Sequence, residues 1–322
     1  MLGVILFMIV KCEEISNPDF GNYPGSRPVE EILKCGVVII DKPSGPTSHQ
    51  VAAWIRDMLG IKKVGHSGTL DPKVTGVLVV TLDKASKIIP ALMGLDKEYI
   101  AVMHLHEDIE EKKLEETLKK FTGKIEQIPP KRSAIKRRKR TREIYEIKIL
   151  EKEGLEVLLD IKCQKGTYVR KLIHDIGEKL GKGAHMKELR RIKVGLFDES
   201  MCINLQDLKD SYVLWKEKND ERIREYVKPV EFGVEHLKKI WIRDSAVNAI
   251  CNGAPLAVGG VCRLDEGIEK EDMVAIFTLK GELVALGYAK MDSKEMTEKR
   301  GIAVCIERVI MEKELYPRMW KK

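Results

Sequence analysis

The stretch VGHSGTLDPKVTG, residues 64–76, concentrates backbone freedom around a single acid, Asp71. It contains three glycines, two threonines, one serine and one proline. In such a loop Asp71 could form an Asx-turn or a helix cap. The stretch matches neither GxxxxGK[ST] nor GxGxxG, so it gives little support to a nucleotide-phosphate site. A third interpretation is an acid that a ligand can approach closely, because small neighbouring residues leave space around it.

The composition is that of a soluble globular protein rather than a disordered one. Of the 322 residues, 43% are hydrophobic and 33% are charged. A chain of this length and composition predicts a large core and two domains. The formal net charge of +7 is compatible with an acidic partner, although many basic proteins bind nothing anionic.

The seven cysteines contain no CxxC pair. This spacing argues against a zinc ribbon and against a disulfide framework, and it predicts reduced thiols in a cytoplasmic protein. The cysteines are Cys12, Cys35, Cys163, Cys202, Cys251, Cys262 and Cys305.

The opening MLGVILFMIV, residues 1–10, is the most membrane-like segment of the chain. It is shorter than the roughly 20 apolar residues that a transmembrane helix needs. Its first basic residue, Lys11, follows the apolar run, whereas a secretory signal places basic residues before it. We therefore expect no membrane association. Either the segment packs on the body of the protein or the true start is Met8.

Local patterns predict the elements on both sides of the opening stretch. GVVII (36–40) predicts a buried strand that ends in the DKPSGP turn. Thr47 and Gln50 have the spacing of a capping box. The helix that follows presents one apolar face before Gly60, made of Val51, Trp54, Ile55, Met58 and Leu59. VLVVTL (77–82) predicts another strand.

The same patterns continue through the middle of the chain. They predict strands at 97–106, 143–150 and 155–162, and helices at 112–121 and 166–181. In the last helix Thr167 is placed to cap the start, and Gly181 to end it. Strands and helices do not alternate in a steady βαβ rhythm. We therefore expect an α+β fold with a mixed, largely antiparallel sheet.

Composition shifts predict four parts of the chain: an N-terminal extension (1–35), a large α+β domain (36–230), a small β-barrel-like domain (236–312) and a basic tail (313–322). WKEKNDERIREY (215–226) predicts a helix near the end of the second part. The third part combines a predicted helix at 244–251 with Gly-rich turns and the strand-like runs MVAIFTL, ELVALGYA and IAVCIERV.

VGHSGTLDPKVTG resembles the catalytic motif of the TruB family of pseudouridine synthases. Five further blocks agree in order: IIDKPSGPTSHQV (39–51), KEYIA (97–101), PPKRSAIK (129–136), CQKGTYVRKLIHDIG (163–177) and GAHMKELRRIKVG (183–195). The segment WIRDSAVNAICNGAPLAVGGV is similar to a PUA domain, a small RNA-binding barrel. The combination is most similar to the archaeal and eukaryotic branch that works in H/ACA ribonucleoproteins.

The resemblance implies a role for each matching residue. Asp71 is the essential acid, Arg170 its partner, and Tyr99 the active-site tyrosine. In such a site His66 lies in the space that an extruded base leaves, Lys42 braces the site and Leu189 forms an apolar wall. Tyr168 of the GTYVR block joins them in RNA binding. We expect the acid in a dry pocket, where a guanidinium offsets its desolvation with two-point geometry.

Each of these residues also has a structural interpretation. Arg170 could be a solvated helix charge, Tyr99 a core residue of an alternating strand, and Lys42 a solvated turn residue. His104 and His106 share one face of a strand, and we interpret them as packing residues because no third metal ligand is evident. Cys163 is interpreted as core rather than as a methyltransferase nucleophile.

The segment KRSAIKRRKRTR, residues 131–142, carries eight Lys or Arg in twelve positions. Such a run is often a solvated loop, but between two predicted strands it forms a basic flap suited to phosphates. Lys136, Arg137 and Arg138 lie at its centre. In TruB-like enzymes this region holds a thumb loop, and its short length here is typical of the guide-dependent branch.

Three functions therefore compete. The first is a cofactor-free, metal-free isomerase that forms pseudouridine where a box H/ACA guide RNA pairs with ribosomal or transfer RNA. The resemblance then implies three small partners, a thumb-binding protein, a zinc-ribbon-like protein and a kink-turn-binding protein, with the PUA unit on the ACA end of the guide. The second is a standalone enzyme for the T-loop uridine of transfer RNA. The third is a noncatalytic RNA-binding scaffold.

Overall fold

The computed structural model describes residues 8–128 and 138–319. In chain order the strands are β1 (Met8–Val10), β2 (Gly36–Lys42), β3 (Val64–His66), β4 (Thr75–Leu82), β5 (Lys97–Leu105), β6 (Gly123–Gln127), β7 (Arg140–Glu153), β8 (Glu156–Cys163), β9 (Ala184–Val194), β10 (Phe197–Asp198), β11 (Val227–Pro229), β12 (Lys238–Ile242), β13 (Leu256–Ala257), β14 (Val261–Asp265), β15 (Met273–Thr278), β16 (Leu283–Ala289) and β17 (Ile302–Val309). The helices are α1 (Val29–Lys34), α2 (Ser48–Leu59), α3 (Ile89–Met93), α4 (Glu111–Phe121), α5 (Val169–Leu180), α6 (Leu205–Lys218), α7 (Ile223–Tyr226), α8 (Asp244–Cys251) and α9 (Ser293–Glu298).

The first of two sheets has the strand order β11-β2-β4-β9-β5-β8-β7-β6, with β3 beside β4 and β10 beside β9. Its pairs are antiparallel except β4 with β9, where Gly76 lies opposite Arg191. The predicted α+β class with a mixed, largely antiparallel sheet is confirmed. The expected strands at 36–40, 77–82 and 97–106 form the centre of this sheet, and 143–150 pairs with 155–162 as expected.

The second sheet has the order β1-β14-β12-β15-β16-β17-β13. Among the strands that the structure describes in this sheet, β12 and β15 run parallel and the other pairs are antiparallel. Strand β1 comes from the N-terminal extension, and its residues Met8 to Val10 pair with Asp265 to Arg263. The extension thus contributes an edge strand to the C-terminal sheet, and the expected packing of the opening segment on the body holds for residues 8–10, the part of that segment that the structure describes.

Helix α2 begins as its sequence predicts. Thr47 and Gln50 form both hydrogen bonds of the capping box, and Gly60 ends the helix with φ of +62°. The predicted apolar face is only partly correct, because Trp54 is 48% exposed. The buried face consists of Val51, Ala52, Ile55 and Leu59.

Helix α5 shows a second difference at its start. Tyr168, not Thr167, is the N-cap residue, and the Thr167 hydroxyl donates to the carbonyl of Gln164 at 2.7 Å. The cap predicted for Thr167 is therefore wrong, because its hydroxyl closes the preceding turn. The apolar stripe and the stop at Gly181 agree with the sequence.

The single helix predicted for 215–226 is also wrong. Helix α6 ends at Lys218, and Asn219 adopts a left-handed conformation with φ of +56°. The Asp220 carboxylate then accepts from the backbone N–H of Arg222, which starts the separate short helix α7. Asn and Asp favour such local bonds over a continuous helix.

An apolar cluster joins the two sheets. It contains Val37 and Val79 of the first sheet together with Phe277, Leu286 and Ile310 of the C-terminal region. All are buried, so the C-terminal sheet is packed against the first one through a continuous core.

The N-terminal extension is tied to the C-terminal sheet by polar contacts as well. The Lys280 ammonium donates to the carbonyl of Pro18 at 2.9 Å, and the buried Glu282 carboxylate accepts from the backbone N–H of Asn22 at 2.9 Å.

Cys12 and Cys262 form a disulfide. The expectation of reduced thiols is therefore wrong for this pair, since tertiary contact brings together two cysteines that are distant in sequence. Within the described ranges, no helix is long and apolar enough to cross a membrane.

We predict that Phe277→Ala weakens the contact between the sheets. Phe277 is 5% exposed within the shared cluster, and emptying such a position lowers the free energy of unfolding by about 3–5 kcal/mol. Denaturant unfolding measures the loss. Ile302→Ala, at a position 46% exposed in the same sheet, is the control. Equal losses in the two variants would contradict an apolar core between the sheets.

Candidate active site

The loop that carries Asp71 connects β3 to β4. Leu70 and Val74, on either side of the acid, are buried at 4% and 3% exposure and belong to the core of the first sheet. The Ser48 hydroxyl, at the first residue of α2, accepts from the backbone N–H of Leu70 at 2.8 Å. The acid therefore stands on a loop whose neighbouring residues are anchored on both sides.

Lys42 holds the same loop through hydrogen bonds to its backbone. Its side chain is fully buried, and its ammonium donates to the carbonyls of Pro43, Pro72 and Val74 at 2.8–3.0 Å. Burial lowers the pKa of Lys42, while the negative charge of Asp71 acts in the opposite direction. Lys42 is thus a brace, and the alternative of a solvated turn residue is wrong.

Gly76 and Gly68 allow the loop to approach β9. At Gly76, with φ of +100°, a Cβ atom would lie 2.2 Å from the carbonyl oxygen of Arg191. Gly68 has φ of +145°, and its carbonyl accepts from the Arg191 guanidinium at 3.3 Å. The backbone freedom noted in the sequence is therefore used for close contact between loop and strand.

Asp71 and Arg170 form an ion pair at the exposed edge of this site. The Arg170 Nη2 donates to Asp71 Oδ2 at 2.5 Å, and Arg170 lies in the first turn of α5. The side chains are 57% and 50% exposed. The expected dry pocket and two-point contact are therefore wrong for this state: one charge-assisted hydrogen bond joins the pair, and the acid is open to an incoming molecule.

Tyr99 is a buried residue of β5. It is 8% exposed and belongs to the same core cluster as Leu70 and Val74. Burial raises the pKa of Tyr99, while the positive charge of Arg191 acts against this increase. Asp71 also acts on Tyr99 electrostatically. Tyr99 is thus both a core residue, as its strand pattern indicated, and a neighbour of the acid.

Tyr168 and Leu189 border the site from two further elements. The backbone N–H of Tyr168 donates to Gln127 Oε1 at 3.0 Å, and Gln127 Nε2 donates back to the Tyr168 carbonyl at 3.1 Å. Gln127 is 2% exposed, so this pair of bonds fixes the start of α5 just before Arg170. Leu189 is partly buried and packs against the cluster that contains Tyr99.

His66 ends β3 at the start of the loop. Burial, followed by His49 and Arg191, lowers the pKa of His66 to about 4, so its imidazole is neutral at pH 7. Its ring packs edge-to-face on His49, with ring centroids 4.9 Å apart. Sequence reasoning assigned no role to His49, whose proximity to His66 arises only when α2 folds back on β3.

Of the basic flap, Arg138 is exposed just before β7. Lys136 and Arg137 lie outside the described residues.

His104 and His106, interpreted from sequence as packing residues, are instead near the surface. His104 Nδ1 is 2.8 Å from Glu156 Oε1 and His106 Nε2 is 3.0 Å from His185 Nδ1. In the described part of the chain no His, Cys, Asp and Glu group could hold a metal ion.

Sequence reasoning missed two cations of the site, the buried Arg191 and the partly buried Lys97. Arg191 is 1% exposed, binds the loop at Gly68 and lies opposite Tyr99 in the pairing of β5 with β9. Lys97, two residues before Tyr99, has its pKa lowered to about 8, first by burial and then by Arg191. Arg191 lies in the block GAHMKELRRIKVG and Lys97 begins the block KEYIA. A charged residue in a polar block gives no sign that its side chain will be buried.

Family sequence profiles match four successive parts of the chain. They are the DKCLD (NUC011) domain over residues 5–52, the N-terminal domain of the TruB family pseudouridylate synthases over 56–169, the tRNA pseudouridylate synthase B C-terminal domain over 170–235 and the PUA domain over 238–310.

Curated archaeal proteins are similar over almost the whole chain. The probable tRNA pseudouridine synthase B of Methanopyrus kandleri is 54% identical, covering 97% of this chain and 93% of that protein. The protein of the same name from Nanoarchaeum equitans is 56% identical, covering 97% and 90%.

Solved structures are equally similar. A chain of a Cbf5-Nop10-Gar1 complex superposes with a TM-score of 0.93 at 51% identity, covering 98% of both chains. A chain of an H/ACA RNP bound to a substrate RNA containing 2'-deoxyuridine superposes with a TM-score of 0.91 at 49% identity, covering 99% of this chain and 98% of that one.

We predict that Lys42→Met destabilises the protein by about 3 kcal/mol, because it leaves buried carbonyls without a donor. Denaturant unfolding measures the free energy, and amide hydrogen exchange of residues 67–74 reports on the loop. Lys73→Met, which removes an exposed lysine of the same loop, is the control. Equal stability of the two variants would show that the Lys42 ammonium does not brace the loop.

We also predict that acid weakens the fold through His66 and His236. Burial is the first cause that lowers the pKa of each to about 4, whereas an unfolded histidine titrates near 6.5. Between these values the unfolded chain binds more protons, so the free energy of unfolding falls as pH falls from about 6.5 to about 4 and is unaffected by these groups above that range.

Urea unfolding at a series of pH values tests this expectation. The double variant His66→Gln/His236→Gln should show a flatter dependence on pH, and the exposed His174 supplies the control variant His174→Gln. An unchanged slope in the double variant would assign the acid sensitivity to other groups.

Proposed function

The chain belongs to the TruB family of pseudouridylate synthases, and we propose that it is the catalytic subunit of a box H/ACA ribonucleoprotein. As a member of this family it is an isomerase that acts on RNA. The observation that carries the guide-dependent assignment is the superposition on Cbf5-type chains over 98% of both chains, including the N-terminal extension and the C-terminal sheet. The chains it resembles were solved with Nop10, Gar1 and substrate RNA.

The reaction breaks the N-glycosidic bond of a uridine, turns the base and rejoins it to the ribose through carbon. In our proposal the Asp71 carboxylate attacks the base or the sugar, or removes a ribose proton. The half-exposed position of Asp71 gives an extruded base access to it. The Arg170 hydrogen bond at 2.5 Å orients the carboxylate and supplies the opposite charge.

The surroundings of Asp71 suit a flipped pyrimidine. Extruding a base costs a few kcal/mol, and an aromatic side chain that the base can pack on offsets part of that cost. Tyr99 has this role in our proposal, with Leu189 as an apolar wall and neutral His66 near the vacated position. A neutral imidazole suits that position because it brings no charge against the neighbouring bases.

The proposed partners follow from the same assignment. A guide RNA pairs with ribosomal or transfer RNA on each side of the target uridine, and the PUA unit holds the ACA end of the guide. A thumb-binding protein, a small zinc-ribbon-like protein and a kink-turn-binding protein complete the particle. The shared apolar core between the sheets supports this proposal, because a guide held at one sheet then has a defined distance to Asp71. We propose a cytoplasmic location.

The standalone alternative is favoured by a specific observation, namely that the similar curated proteins bear the name tRNA pseudouridine synthase B. In that case the T-loop uridine of transfer RNA is modified without a guide. A noncatalytic scaffold is disfavoured, because it has no need for an accessible carboxylate opposite an arginine.

Reconstitution with and without a box H/ACA guide tests the proposal. The full chain and its three small partner proteins are incubated with a target RNA, and pseudouridine is detected as reverse-transcription stops after carbodiimide treatment. Wild type and the control Asp57→Asn, an exposed acid on α2, should give guide-dependent stops. Asp71→Asn should give none.

Two results would overturn the proposal in different ways. Equal stops from wild type and Asp71→Asn would end the catalytic assignment of Asp71. Modification of a transfer RNA T-loop without guide, together with no product on the guided target, would replace the ribonucleoprotein assignment by the standalone one.

A further inference from the structure

Arg191 is a buried cation without a buried counter-charge. Its side chain is 1% exposed, and its Nε and Nη2 donate to the carbonyls of Val77 at 2.8 Å and Gly68 at 3.3 Å. The neighbouring Arg190 forms ion pairs with Asp41 and Glu199, but across residues 8–128 and 138–319 Arg191 forms none. Burying a guanidinium against carbonyls alone is costly, so its position needs a reason.

The groups around Arg191 belong to the proposed active site. Tyr99 lies opposite it in the pairing of β5 with β9, and the positive charge of Arg191 acts against the burial that raises the pKa of Tyr99. After burial, the positive charge of Arg191 is a further cause that lowers the pKa of Lys42, His66 and Lys97. Arg191 is therefore a shared source of positive potential for the site.

The last step of the proposed reaction needs a base close to Tyr99. Once the bond between C1′ of the ribose and C5 of the base has formed, C5 still carries its hydrogen. A base must remove this proton, while the electron pair of the C–H bond forms the C5=C6 double bond. The C6=N1 double bond left by glycosidic cleavage then gives its electron pair to N1, which takes up a proton from solvent; where Asp71 has added to the base, the bond between C6 and the carboxylate oxygen breaks instead. A neutral phenol cannot accept the proton, whereas a phenolate can.

We propose that Arg191 is a positioning residue that holds the Tyr99 hydroxyl beside C5 and supplies the positive charge that lets its phenolate take the C5 proton. The proton then passes to solvent, which restores the enzyme. Because Nη2 also binds the Gly68 carbonyl, the same guanidinium keeps Tyr99 and the Asp71 loop in register. This inference rests on the proposed function.

The other groups that face Tyr99 act against its ionisation or are uncharged. Burial raises the pKa of Tyr99, and Asp71 from the loop and Cys163 from β8 act in the same direction. Burial also raises the pKa of the Cys163 thiol to about 12, so this thiol carries no charge at neutral pH. Of the groups that act on Tyr99, Arg191 is the one that favours the phenolate.

The test is single-turnover pseudouridine formation by the reconstituted complex over a range of pH, with uridine and with uridine carrying deuterium at C5. Arg191→Met should slow product formation about 100-fold or more at neutral pH. Its rate should rise towards higher pH, and deuterium should slow it further, because removal of the C5 proton has become limiting. Arg191→Lys keeps the charge and should recover part of the rate. Lys187→Met, on the same strand, is the control.

A second measurement separates chemistry from folding. Replacing Tyr99 by a fluorinated tyrosine, whose phenol is more acidic, should restore part of the neutral-pH rate in Arg191→Lys. A loss that is equal at every pH, insensitive to deuterium and not restored by the fluorinated residue would overturn the role of Arg191. Failure of the wild type to form product would instead overturn the proposed function, so the two failures are distinguishable.

Discussion

Two buried cations hold backbone carbonyls of the loop that presents Asp71. The Lys42 ammonium binds the carbonyls of Pro72 and Val74, which follow the acid in the loop, and the Arg191 guanidinium binds the carbonyl of Gly68, which precedes it. Carbonyls turned inward by these bonds leave the Asp71 side chain directed to the open side, where it is half-exposed. A loop rich in glycine would otherwise sample many conformations. The single orientation of Asp71 therefore depends on the hydrogen bonds that the two cations donate to the loop carbonyls.

The same cations shape the electrostatics of the site. Lys42, Arg191 and Lys97 are buried or partly buried close to the loop, and Arg170 faces Asp71 at the rim. A site with this balance favours negatively charged species that arise during a reaction and the phosphates of an RNA strand. Burial is the first reason why His66 remains neutral, and the charges of His49 and Arg191 add to it by repelling a further positive charge.

The N-terminal extension and the C-terminal sheet give the site a fixed frame. Strand β1 joins the second sheet, the Lys280 ammonium and the Glu282 carboxylate hold the extension, and an apolar cluster with Phe277 connects that sheet to the first one. RNA held at the second sheet would therefore meet Asp71 at a set distance. Such a frame suits an enzyme that leaves the choice of target to base pairing.

The sequence by itself determined the features that arise from neighbouring residues. The capping box of Thr47 and Gln50, the strand pattern of β5 and the apolar stripe of α5 are encoded within a few positions, and the resemblance placed Asp71, Tyr99 and Arg170 in one site. Where a local bond competed, as at Thr167 and Asn219, the pattern was misleading. Tertiary structure alone decided the burial of Lys42 and Arg191, the exposure of Trp54 and the pairing of Cys12 with Cys262. The physical reason is that the partners of these side chains come from distant parts of the chain, and a residue type carries no record of which distant carbonyl, ring or thiol will lie beside it.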